Sequence, residues 1–169
     1  MKKSVLTFGL ISGAISSGMM FATVPFADRI GFDKGEIIGY TTNVLSFLMV
    51  FLGVRSYREG AGGGKVTFGR AFTVGILITL ISCVCYVVAW EIVYFWFMPD
   101  FIEKYTSYAV AQVKASGGSQ QTIDETIRKM KDFKTLYDNP FINAGMTFIE
   151  PFPIGLAVTT ISAIALRKR

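Results

Sequence analysis

Two carboxylates set in apolar surroundings are the side chains best placed to do chemistry in this sequence. Glu91 is the one ordinarily charged residue between Ala71 and Met98, and Glu150 precedes Pro151-Phe152-Pro153 inside the apolar stretch 141–166. Acids within membrane helices are costly to bury and commonly mark ion or substrate paths. Counting ~1.5 Å per residue from the cations at the opposite helix ends puts Glu91, Glu150 and Glu36 near the outer boundary of a ~30 Å hydrocarbon core. Tyr86 and Asn43 fall deeper on the same count, and Tyr40 belongs to the polar first half of Asn43's segment. The expectation is a polar pocket formed by Glu150, Glu91, Asn43, Tyr86 and Tyr40 in the outer half of a helix bundle, above an apolar inner half. Glu91 can also reach interfacial water by itself. Glu150 sits at a proline break whose freed backbone carbonyls need partners.

These acids specify no reaction. The chain has no histidine, which excludes a His-based triad, a His general base and a His-ligated metal. Cys83 and Cys85 are two apart on a helix, do not face each other, and read as packing residues. The run Gly60-Ala61-Gly62-Gly63-Gly64-Lys65-Val66 invites a phosphate-loop reading, but that motif needs Gly where Glu59 stands and Ser or Thr where Val66 stands. With no nucleophile–base pair, metal cluster or nucleotide loop, a non-enzymatic protein without cofactor or metal is expected.

The elements that carry these residues are helices. The stretch Ala71–Met98 is long enough to cross a bilayer with length to spare, and 51% apolar residues with a mean hydropathy of +0.47 suit a membrane protein. Four spanning helices are predicted over 4–27, 37–54, 71–98 and 141–166, forming one membrane domain over residues 1–169. The first has a longer apolar run than a signal peptide, and Pro25 spoils a cut after Ala27, so it reads as an uncleaved span. It carries Gly9 and Gly13, a Gly-x-x-x-Gly spacing that admits a close helix neighbour, either a second copy or another helix of the same chain.

Residues 28–36 read as a polar turn, and 55–70 as a flexible, basic, glycine-rich connector. Residues 99–140 read as an extramembrane helical hairpin between helices 3 and 4, broken at Gly117-Gly118. Its second helix is expected to start at a capping box of Thr122 and Glu125, with Asp124–Arg128 and Glu125–Lys129 pairs on its wet face. The last span should kink or restart at Pro151 and Pro153.

Charge orients the chain. Segments 1–3, 55–70 and 167–169 hold two, four and three Lys or Arg, while 28–36 and the much longer 99–140 hold two and six. That density predicts both termini in the cytoplasm. Cations gathered at helix ends form no groove or arm, which argues against nucleic acid and for anionic lipid headgroups.

Gly9-Leu10-Ile11-Ser12-Gly13, Ile38-Gly39-Tyr40, Val54-Arg55-Ser56-Tyr57-Arg58, Phe68-Gly69-Arg70-Ala71-Phe72 with Gly75, and Glu150 followed by Pro153-Ile154-Gly155-Leu156 occur in that order. The ordered set resembles a bacterial membrane family known as domain of unknown function 4199, over nearly the whole chain. The resemblance implies a four-helix protein of a bacterial inner membrane with an extramembrane insert before the last helix. It supplies no activity and no catalytic residues. The leading functional expectation is a membrane component that binds lipid or a partner protein, which includes a second copy of itself. The alternative is a small proton-coupled transporter using the outer acids.

Overall fold

The computed structural model describes residues 1–168; Arg169, counted above among the inner cations, lies outside the described residues. Among the described residues the regular structure is helical apart from one isolated β-bridge. Three helical stretches are long and apolar enough to cross a membrane: Lys2–Glu59, Phe68–Phe97 and Pro140–Leu166. The first doubles back on itself. Helix α1 (Lys2–Thr23) passes through a 3-10 turn over Val24–Phe26, with Pro25 inside it, into α2 (Ala27–Glu59). Phe8 packs on Gly53, and the Ser12 hydroxyl donates to the Ser46 carbonyl at 2.9 Å, so the two helices lie antiparallel.

Residues 28–36 are helical rather than a turn. The chain re-enters the helix at Ala27 and is interrupted at one residue, Gly31, whose φ of 73° and ψ of 169° suit glycine alone. Its mixed charges read as a loop, yet two of them, Asp28 and Asp33, have helical partners described below.

Helix α3 (Phe68–Ile92) continues into a π-helical turn over Val93–Phe97 and touches α1, α2 and both halves of the last stretch. It is the hub of the bundle. Val74, Ile78 and Cys83 are wholly buried with Phe47, Val50 and Val54 of α2 and Ala163 of the last helix. Small residues set the spacing. A Cβ added to Gly9 would stand 2.9 Å from Ile81, and one added to Gly13 only 2.6 Å from Cys85. These two glycines are therefore engaged with α3 of their own chain. Buried hydroxyls pair across the same contacts, Ser12 with Ser82 at 2.9 Å and Thr79 with Thr159 at 3.0 Å. Such pairs hold register where lipid supplies no hydrophobic contrast.

Beyond α3, α4 (Phe101–Ala115) and α5 (Gln120–Tyr137) pack on each other across a four-residue turn that contains Gly117 at φ 76°. The cap of α5 is Ser119, three residues before the expected Thr122: its hydroxyl accepts the Thr122 N–H at 3.2 Å. The predicted pairs on α5 are replaced as well. Asp124 and Glu125 form no ion pair in the described residues and instead accept from Gln120 and Gln121. Asn139 caps α6 (Pro140–Ile149), with Pro140 at its first position. The Glu150-Pro151 break then leads into α7 (Phe152–Leu166).

The connector between α2 and α3 is shorter and better held than the sequence suggests. Helix reaches Glu59, and Thr67 caps α3, which leaves 60–67. Val66 is 4% exposed and exchanges two backbone hydrogen bonds with Lys168, at 3.0 and 2.9 Å. The Arg58 guanidinium also donates to the Leu166 carbonyl at 3.5 Å.

Candidate binding cleft

At the end of the bundle away from that bridge, the helices part around a cleft of about 1030 Å³. Helical spacing explains one wall. Glu36, Tyr40 and Asn43 lie at i, i+4 and i+7 on α2, one stripe of one face, and all three line the cleft. On α3, Tyr86 and Trp90 are again four apart and line the opposite wall. The Tyr86 hydroxyl points at the Glu150 carboxylate, at 3.5 Å, from across the proline break.

Of the five pocket residues expected from sequence, Glu150, Asn43, Tyr86 and Tyr40 face this one space, and Glu91 does not line it. Glu91 follows Trp90 and so points about 100° away around α3. One of its carboxylate oxygens is enclosed without a hydrogen-bond partner. At the cleft floor, Asn43 is 2% exposed and its side-chain amide nitrogen, beside the Tyr86 hydroxyl, makes no hydrogen bond of ordinary geometry to the protein. A buried, unused donor costs roughly 1–3 kcal/mol unless something accepts from it.

The roof is built by α4 and α5. Phe32 of α2 is ringed by Phe101, Tyr105 and Tyr108 of α4, with centroids 5.7, 5.2 and 5.2 Å away. The Tyr108 hydroxyl donates to Asp33, and the Lys104 ammonium bridges Asp28 and Asp100 at 3.0 and 3.2 Å. Asp28's hydrogen bond, followed by that of Asp100, holds the Lys104 ammonium above its ordinary pKa. At the other edge the Trp90 indole N–H donates to the Tyr137 hydroxyl at 2.9 Å. The Tyr137 carbonyl accepts from Asn143, whose own amide oxygen accepts from Thr147. This buried chain fixes the end of α5 between α3 and α6. Trp90, Phe32 and Tyr137 are not among the pocket residues expected from sequence, although Trp90 lies one helical turn beyond Tyr86.

A second, smaller cavity of about 420 Å³ runs between α1 and α2, lined by Ile15, Gly18, Met19, Ala22, Thr42 and Leu45. Met19 and Thr42 belong to both cavities, so the apolar groove opens beside the cleft. Among the described residues, no group of three or more Cys, Asp or Glu is arranged to hold a metal.

Fold and cleft together define a class: an all-helical chain with helices of membrane-spanning length, opening at one end around a mixed polar and aromatic cavity. The chain belongs to the family described as Protein of unknown function (DUF4199), whose model matches residues 7–168. No curated protein and no solved structure matches it.

Proposed function

We propose that this protein is a non-enzymatic membrane component that binds a lipid-like amphiphile, with the polar head in the cleft and the apolar chain in the groove between α1 and α2. The observation that carries the reading is the junction of the two cavities at Met19 and Thr42, the latter adjacent in sequence to Asn43 with its unused donor. A free head-group binder would need only the first cavity. In this reading α1, α2, α3 and α6–α7 are four spans of a bacterial inner membrane. Both chain ends face the cytoplasm, and α4–α5 form an extramembrane roof over the outer leaflet. The exposed rings of Trp96, Phe97 and Phe141, at 82%, 61% and 90%, suit a belt at that outer interface. Side chains such as Leu45, Leu48, Val84 and Val88, half exposed along the rods, suit contact with lipid tails.

The test uses Gly39, which lines the cleft and has no atom within 4 Å of where a Cβ would sit. Wild-type protein and Gly39→Trp are purified from native membranes and compared by native mass spectrometry. The wild type should retain an amphiphile at defined stoichiometry, and the variant should fold normally and lose it. An equally loaded variant, or a wild type that never carries such a molecule, would sink the proposal.

A further inference from the structure

We infer that the head group taken by this cleft is cationic, an inference that rests on the amphiphile reading and names its ligand class. The charge balance of the lining points there. Asp28, Glu36, Asp100, Glu103 and Glu150 face the cleft, against the single cation Lys104. Three of these acids are satisfied by the protein: Asp28 and Asp100 by Lys104, and Glu103 by Lys134 at 3.4 Å. Glu36 and Glu150 are not. Among the described residues neither makes an ion pair, and Glu150 has only the 3.5 Å contact from Tyr86. Two carboxylates without counter-ions thus share one concave space.

Aromatic rings complete the site. Tyr40, Tyr86, Trp90, Phe101 and Tyr105 line the cleft, and ring faces attract organic cations that are too bulky or too weakly hydrated for a simple salt bridge. An anionic head would meet uncompensated carboxylates. A neutral one would leave both carboxylates without a counter-charge. The Asn43 amide at the floor adds a donor, so the favoured ligand carries an acceptor oxygen between its charge and its apolar chain. A quaternary ammonium ester of a fatty acid has that order of groups: charge toward Glu36 and Glu150, carbonyl toward Asn43, and alkyl chain leaving past Thr42 and Met19.

The experiment uses dodecanoylcholine as probe, with methyl dodecanoate (same ester, no charge) and dodecanoate (opposite charge) as comparators. The chain has two tryptophans, and Trp96 is exposed outside the cleft, so Trp96→Phe leaves Trp90 as the reporter. In neutral dodecyl maltoside, dodecanoylcholine should change Trp90 emission saturably and bind at least about tenfold more tightly than the methyl ester, with dodecanoate weakest. Glu150→Gln and Glu36→Gln should each remove most of that preference. Glu36 lies on an exposed helix face, so its variant serves even where Glu150→Gln fails to fold. Saturable binding of the methyl ester with equal affinity would overturn the charge inference and leave the amphiphile reading standing, as would a cation preference unchanged in Glu36→Gln. No saturable binding by any of the three would overturn both.

Discussion

The Tyr94 hydroxyl, on the π-helical turn after α3, donates to Asp138 just past the end of α5, at 2.6 Å. Tyr94 is 2% exposed, so the bond ties the roof to the buried hub. That hydrogen bond, with a second from Lys134, holds the Asp138 carboxyl below its ordinary value of 3.8. A depressed acid contributes stability that is complete above the ordinary value and lost as pH falls through the folded one. Tyr94→Phe should cost about 1 kcal/mol at neutral pH, the partly exposed carboxylate regaining water. Asp138→Asn should flatten the acid limb of a thermal stability profile. An acid limb identical to wild type in that variant would remove this bond from the account.

Close helix approach predicts a contrast between glycines. A Cβ on Gly155 would stand 2.4 Å from Thr79 and 2.9 Å from Phe47, whereas one on Gly18 meets nothing within 4 Å. Gly155→Ala should destabilise by about 1–3 kcal/mol through overpacking. Gly18→Ala should be neutral or gain up to ~1 kcal/mol from helix propensity. Thermal unfolding in detergent measures both, and equal effects would contradict the packing described.

The roof should depend on rings more than on charges. Lys104 and Asp28 are 40% and 82% exposed, and pairs of that kind contribute about 0–1 kcal/mol. Phe32 makes three ring contacts with α4. Phe32→Ala should lower the local opening free energy of residues 101–115 by about 2 kcal/mol, read by hydrogen exchange, and Lys104→Ala by much less. The reverse order would make the ion pairs the true fastening.

Topology is checked with reporters in a bacterial host. An enzyme active only in the periplasm should work when fused at Ser119, in the turn between α4 and α5, and fail when fused after Arg169. Activity at the second site and silence at the first would invert the proposed orientation.

The local signals in this sequence proved easier to read than the lateral ones. The α3 rod, the break at Gly117, the Asn139-Pro140 stop and the Pro151 restart each follow from residues within one turn. Segment 28–36 reads as a turn on its mixed charge, but Asp28 and Asp33 are satisfied by α4, about 75 residues away in sequence. Ser119 and Thr122 both suit a helix N-terminus, and the hydroxyl that accepts is set by where the chain leaves the turn at Gly117. Counting residues from the helix ends gives height, which places Glu150 near the outer boundary and Tyr86 and Asn43 deeper, all in the outer half of the bundle. It gives no azimuth, and Glu91, at a height like that of Glu150, faces away from the cleft and does not line it. The pairing of Val66 with Lys168 has no local signature at all.

That pairing also governs which motions are open to the molecule. Two backbone hydrogen bonds and the Arg58 contact clasp the end of α7 to the connector between α2 and α3. The opposite end is articulated: Gly31 interrupts α2, the π turn follows α3, and Pro151 divides α6 from α7. A helix held at one end in this way can tilt only about that end. Displacement grows with distance from the clasp, so a small tilt that leaves the clasped end nearly still widens the mouth beneath α4 and α5.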